Sequence, residues 1–377
     1  MEKIIFGITS LTLGGAERVL VDVANKLTEK FDITIFTLYP NGELEKELNN
    51  KIHIKSLYNK TYKDLNKIER ILIPLSVLFN KKKIYKTYVE DKEYIAQIAF
   101  LEGAITRIFS VKTKYSTKKI AWVHNDISKV FGNSLKSKMK RIIDRNAYEK
   151  YDVLAFVSVD NLDKFNKVYD DMPLPHEKVI KNYINYERIL ELSNSEYEKF
   201  FNSKETNIIQ VSRLVEQKAI DRLIEVHTKL IKEGIKHHIY IIGDGPLKNK
   251  LKEQIEKNKV ENTFTLLGAK ENPYPYIKDA DAFCLFSAFE GYPMVVEEAK
   301  ILKKYIAVTN TSAREVLFDY PENSIIVDNN EEGIEKAIKY IVKNKSKISE
   351  KNNSYVYENS KIIDKIEKVI KEENAKK

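Results

Sequence analysis

Apolar runs that suit β-strands alternate with helical patterns along both halves of this chain. The strand-like runs lie at 4–9, 33–38, 95–100, 119–123 and 153–157, and again at 207–211, 238–242, 263–266, 282–286 and 305–308. Helical patterns fill the intervals, for example at 16–27, 219–233, 247–257 and 294–303. Alternation of this kind is typical of parallel sheets with helices on both faces. The sequence therefore predicts a doubly wound α/β fold in each half.

The length of the chain indicates two domains, because 377 residues exceed one ordinary hydrophobic core. A polar stretch without strand signals, from about 184 to 206, is the predicted boundary. We expect a first domain of residues 1–184 and a second of 185–358. An amphipathic pattern at 361–371 predicts a C-terminal helix, within 359–377, that packs back on the first domain.

Composition narrows the class of protein and its compartment. A hydrophobic content of 43% and a charged content of 32% suit a soluble globular protein. The single cysteine, Cys284, lies in an apolar run, which indicates a buried side chain and a reducing cytoplasm rather than a disulfide framework. No apolar run reaches the ~18–20 residues that a membrane-spanning helix needs. The apolar N-terminus reads as a first strand and not as a signal peptide.

The net positive charge of the chain comes from its first half. Residues 1–185 carry 32 Lys and Arg against 23 Asp and Glu, whereas the remainder carries 32 of each. Between Arg107 and Arg145 there are 11 basic and 2 acidic residues. Such a patch suits an anionic membrane surface or an anionic substrate, and Pro74–Lys86 could share that contact. Ordinary solvated lysines are the alternative.

Two carboxylates in the second half bracket a strand–loop–helix turn. Glu290 follows the apolar run 282–287, and Glu298 lies on the helix that the Gly-Tyr-Pro turn opens, with Pro293 fitting its first turn. The free N–H groups at the start of such a helix can bind an anion. Glu298 would lie roughly 12 Å further along at about 1.5 Å per residue. This spacing suits a sugar nucleotide, with one carboxylate on the sugar and the other on the ribose.

Cations and glycines at the ends of other strands suit the same ligand. Arg213 and Lys218 follow the first strand of the second half, where they would offset the charge on a departing nucleoside diphosphate. The alternative is a solvated loop. Gly14 and Gly15 follow the first strand of the chain, where the backbone could approach a ligand or make a plain tight turn. They do not form the GxGxxG pattern of dinucleotide-binding dehydrogenases.

Histidines and a possible metal motif complete the candidates. His124 ends a first-half strand and would point toward a ligand. His227, His237 and His238 are interpreted as surface residues, and Gly243 as part of a turn. The Asp-Ala-Asp sequence at 279–281 is like a DxD metal-binding motif. Here it precedes a buried strand directly, so we expect no metal site.

Taken together, these segments resemble the retaining GT-B glycosyltransferases of family four, the glycosyl transferases group 1. Ser10-Leu-Thr-Leu-Gly-Gly-Ala-Glu-Arg resembles the family's glycine loop, Val211-Ser-Arg-Leu-Val-Glu-Gln-Lys its phosphate-binding loop, and Glu290–Glu298 its paired-glutamate motif. The resemblance covers nearly the whole chain. The similarity is to bacterial members that build capsule, exopolysaccharide or O-antigen repeats. It implies two Rossmann-like domains that face a central cleft.

The resemblance also implies roles for individual residues. Arg213 and Lys218 would bind the donor diphosphate, Glu290 the donor sugar and Glu298 the ribose, while His124 would lie near the transferred sugar. The other expected donor-binding residues are Gly14, Gly15, Gly243, Met294 and Val295. Family members need neither a divalent metal nor a cofactor beyond the sugar nucleotide. One departure is Ala219, because a glycine usually follows the phosphate-loop lysine.

The expected activity is the transfer of a sugar from a nucleoside diphosphate, with UDP as the commonest nucleotide among similar members, to a saccharide acceptor. A lipid-linked acceptor and peripheral contact with the anionic inner face of the cell membrane would explain the basic first half. Three alternatives stay open. They are an epimerase or phosphorylase of the same fold, a non-catalytic carbohydrate- or nucleotide-binding protein, and a nucleic-acid-binding protein, for which no recognised motif exists.

Overall fold

The structure is a computed structural model that describes residues 1–130, 135–170, 173, 175–201, 204–350, 355–357 and 359–372. It divides into two compact units. The first comprises Met1–Ile184 and Glu358–Lys377, and the second comprises Asn185–Tyr357. The expected C-terminal segment 359–377 therefore belongs to the first unit, although its last five residues lie outside the described part.

The first unit is built on a parallel sheet with the strand order β3-β2-β1-β4-β5-β6-β7. Its strands are β1 (Glu2–Ile8), β2 (Phe31–Thr37), β3 (His53–Ser56), β4 (Ala96–Ala99), β5 (Lys118–Val123), β6 (Val153–Phe156) and β7 (His176–Val179). Its helices are α1 (Gly15–Leu27), α2 (Lys67–Ile84), α3 (Ala104–Phe109), α4 (Ile127–Val130), α5 (Leu135–Tyr148), α6 (Val159–Val168) and, after the second unit, α15 (Ser360–Lys371). A short π-helix, Tyr85–Val89, continues α2, and a 3₁₀ turn spans Glu45–Glu47.

The second unit has a parallel sheet with the order β10-β9-β8-β11-β12-β13. Its strands are β8 (Thr206–Val211), β9 (His237–Ile242), β10 (Phe264–Gly268), β11 (Ala282–Leu285), β12 (Tyr305–Thr309) and β13 (Ser324–Val327). Its helices are α7 (Tyr186–Leu192), α8 (Ile220–Lys232), α9 (Lys248–Asn258), α10 (Tyr274–Asp279), α11 (Met294–Ile301), α12 (Ala313–Val316), α13 (Glu331–Lys343) and α14 (Lys345–Glu350). Further 3₁₀ turns span Glu216–Lys218 and Pro321–Asn323.

Each sheet buries its central strands on both faces. Ile4, Ile5 and Phe6 of β1 are fully buried, as are Phe283 and Cys284 of β11. A strand that meets helices on both sides needs such a continuous apolar run. This requirement explains why the central strands were visible in the sequence and why Cys284 is a buried thiol.

The order of strands reverses once in each sheet, and this reversal determines where ligands can bind. In the first sheet β2 lies on one side of β1 and β4 on the other, while in the second sheet β9 and β11 flank β8 in the same way. Loops that leave such a pair of central strands diverge to opposite faces and open a crevice at the carboxyl ends of the strands. The crevices lie between β1 and β4 and between β8 and β11.

The C-terminal helix packs on the first unit. Ile363, Ile366, Val369 and Ile370 of α15 are buried. The side chain of Lys30 pairs with Glu367. The predicted amphipathic helix is thus present, and its apolar stripe completes the surface of the first sheet's helical layer.

Candidate functional site

The cationic loop of the second unit lies at the carboxyl end of β8. Arg213 is exposed and makes no side-chain hydrogen bond or ion pair with another described residue, whereas Lys218 is half-buried in the 3₁₀ turn Glu216–Lys218. The next residue, Ala219, adopts the left-handed conformation with φ 46° and ψ 41°, and α8 begins directly after it without a side-chain cap. The first N–H groups of α8 are therefore available beside the two cations, as an anion site requires.

Glycines after β9 hold this loop in place. A Cβ atom on Gly243, whose φ is 150°, would lie 1.9 Å from the Ser212 carbonyl oxygen. A Cβ atom on Gly245 would lie 2.5 Å from the Leu214 carbonyl oxygen. The Leu214 N–H donates to the Asp244 carbonyl at 2.9 Å. Gly243 therefore supports the backbone beside Arg213, a contact that agrees with its interpretation as a turn residue.

An ion pair joins the loop after β8 to the loop after β11. The Lys218 Nζ lies 2.6 Å from the Glu290 Oε1, and both side chains are largely buried. Gln217 accepts the Ala288 N–H at 2.9 Å and donates its side-chain amide to the Phe289 carbonyl at 3.0 Å. The structure thus brings two predicted residues together, and a bound diphosphate would have to share Lys218 with Glu290.

A residue that the sequence analysis missed also supports the Glu290 loop. Arg222 of α8 donates to the Phe286 carbonyl at 3.0 Å and to the Asn329 side chain at 2.7 Å. Asn329 in turn donates to the Ala288 carbonyl at 2.8 Å. The contacts to Phe286 and Ala288 reach backbone carbonyl oxygens, so residue type alone gives no signal for them. Spacing did not help, because Arg222 and Asn329 lie far apart in the chain.

Helix α11 separates its two neighbouring glutamates. Glu298 is half-buried on the helix, as are Met294 and Val295 of its first turn. Glu297 is buried instead, where it accepts from the Tyr292 hydroxyl at 2.5 Å and lies 3.1 Å from the Lys300 Nζ. The helix begins at Met294, as predicted, and Pro293 lies immediately before it. Its first turn has no side-chain cap, so it adds a second helix N-terminus at the same edge of the sheet.

In the first unit the glycine loop lies at the corresponding crevice. Gly14 precedes α1 in an extended conformation and Gly15 is the first helical residue. A Cβ atom on Gly14 would lie 2.2 Å from the Glu17 Oε2, so the carboxylate of Glu17 lies over this helix start. The loop is tied to the segment after β2, since the Leu44 N–H donates to the Leu11 carbonyl at 2.8 Å.

His124 lies just beyond β5, in a rigid frame. Its ring packs on Phe100 with the ring centroids 4.8 Å apart, and its Nε2 is buried without a hydrogen-bond partner among the described residues. Burial lowers the pKa of His124 to about 3, against a hydrogen bond to the Phe100 backbone that raises it. The imidazole is therefore neutral near pH 7. With the other ring nitrogen bonded to the backbone, Nε2 has a lone pair to accept a hydrogen bond.

A half-buried carboxylate that the sequence analysis missed fixes the backbone at His124. Glu102, two residues after Phe100, accepts the N–H groups of His124 and Asn125 at 2.6 and 2.7 Å and the Asn125 side-chain amide at 2.9 Å. Burial raises the pKa of Glu102, while these hydrogen bonds lower it. Asn161 of α6 holds the same segment by donating to the Asn125 carbonyl at 2.9 Å.

The surface interpretation is wrong for His227 and His237, whereas His238 is half-buried. His227 and His237 are fully buried, with 2.9 Å between the Nδ1 of one and the Nε2 of the other. His238 donates to or accepts from the Thr265 hydroxyl at 2.8 Å and stacks on Tyr240. His227 lies on α8 and His237 at the start of β9, and the second ring nitrogen of His227 meets the Thr263 hydroxyl at 2.9 Å. The hydrophobic periodicity of a strand or helix does not show that a histidine ring faces inward when its hydrogen-bond partners lie on other elements.

The two aspartates of the DxD sequence make structural contacts. Asp281 accepts the Asn207 N–H at 2.7 Å and pairs with Lys345 at 3.0 Å. Asp279 accepts from the Tyr197 hydroxyl at 2.5 Å. Across the described residues no group of three or more His, Cys, Asp or Glu side chains is arranged to hold a metal ion. Independence of metal stays a prediction.

Comparison with known proteins finds a family model that matches the C-terminal part of the chain. Residues 194–374 match the model of the glycosyl transferases group 1. This part of the chain belongs to that family. An uncharacterized glycosyltransferase of Methanocaldococcus jannaschii is 28% identical over 78% of this chain and 72% of its own. N-acetylgalactosamine-N,N'-diacetylbacillosaminyl-diphospho-undecaprenol 4-alpha-N-acetylgalactosaminyltransferase of Campylobacter jejuni is 25% identical over 90% of each chain.

The fold of this chain is also found in solved structures. Anabaena HepE, crystallised with UDP and glucose, superposes with a TM-score of 0.73 over 98% of this chain and 99% of its own, at 16% identity. The structural neighbours are GT-B glycosyltransferases, so the predicted fold class is confirmed. Within the second unit, Arg213, Lys218 and Glu290 lie at the carboxyl edge of the sheet beside two uncapped helix starts.

Proposed function

We propose that this protein transfers a sugar from a UDP-sugar to a saccharide acceptor, with retention of the anomeric configuration, during the synthesis of a cell-surface polysaccharide. The observation that carries the proposal is the set of charges at the β8–β11 crevice. Arg213, Lys218 and two uncapped helix starts supply positive charge, and Glu290 lies directly against Lys218. A nucleoside diphosphate linked to a sugar suits this combination of anion-binding groups and a nearby carboxylate.

The proposed reaction needs no protein nucleophile. The bond between the anomeric carbon and the diphosphate oxygen breaks, and the acceptor oxygen bonds to the same face of that carbon. The departing diphosphate takes the acceptor's proton. Arg213, Lys218 and the helix N–H groups stabilise the charge that grows on it. Glu290 and Glu298 then bind hydroxyls of the donor, unlike the acid–base pair of a glycosidase.

In this proposal His124 binds the transferred sugar as a hydrogen-bond acceptor. A pKa of about 3 keeps the imidazole uncharged near neutral pH, so it does not act as a general acid there. Its buried, unpartnered Nε2 can instead accept a hydrogen bond from a sugar hydroxyl. Glu102 would keep His124 in position through the backbone rather than touch the donor.

Comparisons support the class of donor and acceptor. HepE was crystallised with UDP, and the Campylobacter relative is named for an alpha-linked product built on a diphospho-undecaprenol saccharide. We extend both features to this chain, with a nucleoside diphosphate sugar as donor, a lipid-linked saccharide as acceptor and no metal or cofactor.

Thermal unfolding against UDP-, GDP- and ADP-sugars in the presence of EDTA tests the donor. A ligand at a hundredfold excess over Kd stabilises the folded state by about 2.7 kcal/mol. We expect a rise in Tm with UDP-sugars that is lost in Glu298→Ala and kept in Lys252→Ala, a matched change on an exposed face of α9. A shift that needs Mg²⁺ would contradict the proposed independence of metal. No shift with any sugar nucleotide would contradict the proposed donor and favour a non-catalytic protein.

The reaction itself is tested by its products. NMR of the anomeric proton in donor and product distinguishes retention from inversion, and release of free UDP distinguishes transfer from epimerisation. Inversion would remove the proposed mechanism while leaving the donor site intact. An epimerised sugar nucleotide with no acceptor product would replace transfer by the alternative activity.

The first unit also supports peripheral contact with an anionic membrane. No helix in the described ranges is long and apolar enough to cross a bilayer. Helix α2 nevertheless exposes Ile68, Leu72 and Phe79, which recur at helical spacing on one stripe, with Phe79 82% exposed. Helix α5 exposes Met139 and Ile142 between its basic residues. Apolar side chains flanked by cations are typical of helices that lie in a bilayer interface.

The predicted basic patch contributes only in part to this surface. Arg107 is paired with Asp144 at 2.6 Å, and the buried Lys118 and Lys119 donate to backbone carbonyls of the first unit. Residues 131–134 lie outside the described part. Lys81, at the end of α2, has its pKa lowered by burial and by neighbouring cations, among them Lys150 and Arg107. Helix α2 carries Lys81, Lys82 and Lys83 in its last turn, and these lysines supply positive charge to this surface.

Vesicle flotation tests the membrane contact. We expect the protein to float with phosphatidylglycerol vesicles at low salt and to be released at high salt. Phe79→Ser should weaken flotation, whereas Phe318→Ser, at a ring of the second unit that is also largely exposed, should not. Equal flotation of both variants, or binding that is indifferent to lipid charge, would contradict this contact.

A further inference from the structure

Three tyrosines form an aromatic surface at the carboxyl edge of the first sheet, here termed the tyrosine shelf (Tyr39, Tyr58 and Tyr62). The rings of Tyr39 and Tyr58 are stacked with centroids 5.5 Å apart, and Tyr62 meets Tyr39 edge-on at 5.5 Å. The Arg70 guanidinium lies over the Tyr62 ring, 5.2 Å from its centroid. Exposure decreases across the shelf from Tyr62, which is 50% exposed, to Tyr39, which is 5% exposed.

The shelf is fixed to the strands that carry it. The Tyr39 N–H donates to the Thr9 carbonyl at 3.1 Å, and the Tyr58 N–H donates to the Leu38 carbonyl at 3.0 Å. These bonds extend the pairing of β1, β2 and β3 beyond the strand ends. Parallel strands lie about 4.8 Å apart, so the shelf begins one strand away from the glycine loop after β1. This is the edge at which doubly wound sheets bind ligands.

The hydroxyl groups of the shelf differ from those of several buried tyrosines, which bond to protein acceptors. Tyr85, Tyr151 and Tyr292 donate their hydroxyls to protein acceptors at 2.8, 2.6 and 2.5 Å. Neither Tyr39, Tyr58 nor Tyr62 has a hydroxyl hydrogen bond to any described residue. Burial, together with the nearby phenols of Tyr58 and Tyr62, raises the pKa of Tyr39 to about 12, so the hydroxyl stays protonated and able to donate.

The charges around the shelf are balanced. Lys63 is paired with Glu43 at 2.7 Å and Lys60 with Glu69 at 2.9 Å. This balance disfavours a polyanion such as a nucleic acid. Three free phenolic hydroxyls disfavour a lipid chain, which would bury them without partners. A neutral ligand with an apolar face and a rim of hydroxyl groups suits the shelf best, because it can stack on the rings and bond to the phenols.

We propose that the tyrosine shelf binds pyranose rings of the acceptor saccharide, next to the sugar that receives the transferred residue. The inference rests on the proposed function, because only a transferase has such an acceptor. In this arrangement Tyr62 supplies the exposed stacking face, Arg70 holds that ring in place, and Tyr58 supplies a hydroxyl. The shelf then selects the sugars that the enzyme extends and does not take part in bond cleavage.

Saturation-transfer NMR with the methyl α-glycosides of glucose, galactose, N-acetylglucosamine and N-acetylgalactosamine tests the shelf without any reaction. We expect at least one of the four to bind to the wild-type protein. Tyr62→Ala should weaken that binding roughly tenfold, the effect of losing ~1.4 kcal/mol of ring stacking. Tyr62→Trp should keep it. Absence of binding by all four glycosides, or equal binding to Tyr62→Ala, would overturn the inference.

Tyr340→Ala is the matched control. Tyr340 also belongs to a stacked pair, with Tyr305 at 5.8 Å, and is 44% exposed, but Tyr305 starts β12 at the amino edge of the second sheet. Its removal should leave glycoside binding unchanged, and a loss equal to that in Tyr62→Ala would contradict a specific shelf. The UDP-sugar shift is a separate readout. Its absence with intact glycoside binding would defeat the proposed transfer, whereas a normal shift without Tyr62-dependent binding would defeat only the shelf.

Discussion

At the scale of single residues, Ala219 holds a backbone conformation that L-amino acids rarely adopt. Its φ of 46° joins the turn that carries Lys218 to α8. The left-handed conformation costs roughly 1–2 kcal/mol for a residue with a Cβ atom. A glycine is the usual family residue here, and the conformation gives the physical reason.

Ala219→Gly is expected to raise the free energy of unfolding by up to about 1 kcal/mol, since relief of strain exceeds the greater entropy of a glycine in the unfolded chain. Urea denaturation measures it. Lys303→Gly, at a second left-handed position with φ 58°, is the control for relief of strain away from the site. Destabilisation by Ala219→Gly would contradict this expectation and show that packing of the alanine methyl group outweighs the strain.

Gly243→Ala should lower the free energy of unfolding in the same urea measurement, because no space exists for its Cβ atom.

Arg213→Ala is expected to lower kcat roughly 30- to 1,000-fold, which corresponds to about 2–4 kcal/mol of transition-state stabilisation. The exposed guanidinium makes no contact with other described residues that would stabilise the fold, so Tm should change little. Steady-state release of UDP measures the effect, with Lys252→Ala as a control. Full kcat in Arg213→Ala would remove this residue from the proposed mechanism.

Residues of the candidate site differ in how visible they were in the sequence. Arg213, Lys218 and Glu290 could be predicted because they follow strands and carry the charge that a diphosphate sugar needs. Glu102 and Arg222 could not, since they act on backbone groups brought close only by folding. The buried pair of His227 and His237 was misassigned for the same reason.

At the scale of elements, the strands that the sequence analysis left out share one position. β3, β7 and β13 all lie at sheet edges. Each has four residues, all half-buried or exposed except Val327 of β13, in contrast to the continuous burial of β11. An edge strand has a neighbour on one side only and therefore needs no long apolar run. The predicted central strands and the α/β alternation agree with the structure, because strands buried on both faces need the continuous apolar runs that are visible in the sequence.

The packing of helix α15 on the first unit can be tested by a single substitution in that helix. Ile366 is almost fully buried in the first unit. Ile366→Ala should lower the free energy of unfolding by about 2–4 kcal/mol through loss of buried area and formation of a cavity. Chemical denaturation measures the loss, with the exposed Lys365→Ala as a control. Equal stability of the two variants would mean that the helix does not pack as described.

At the scale of the whole molecule, we expect stability to fall in mild acid. Burial lowers the pKa of His227 to about 2 and of both His237 and His238 to about 4, from an ordinary value of 6.5. Below pH 6.5 the unfolded chain therefore binds protons that the folded chain does not. Stability falls as pH decreases toward 4, by up to about 1.4 kcal/mol per pH unit for each histidine.

Urea unfolding at a series of pH values measures this slope. His238→Gln removes one titrating ring and should make the slope shallower, whereas His53→Gln, at an exposed position of the first unit, should not. An unchanged slope in His238→Gln would contradict the assignment of the acid sensitivity to the buried histidines. A stability that rises toward pH 4 would contradict it as well.

The path of the chain has a consequence for how the protein is made. The first unit ends with α15, yet residues Asn185–Tyr357 are translated before that helix. At about 5–20 residues per second, the ribosome needs roughly 10 to 35 seconds to synthesise the intervening segment. During that interval the nascent first sheet lacks the helix that covers part of its hydrophobic layer. The second unit is the first to be complete, and the N-terminal unit is finished last.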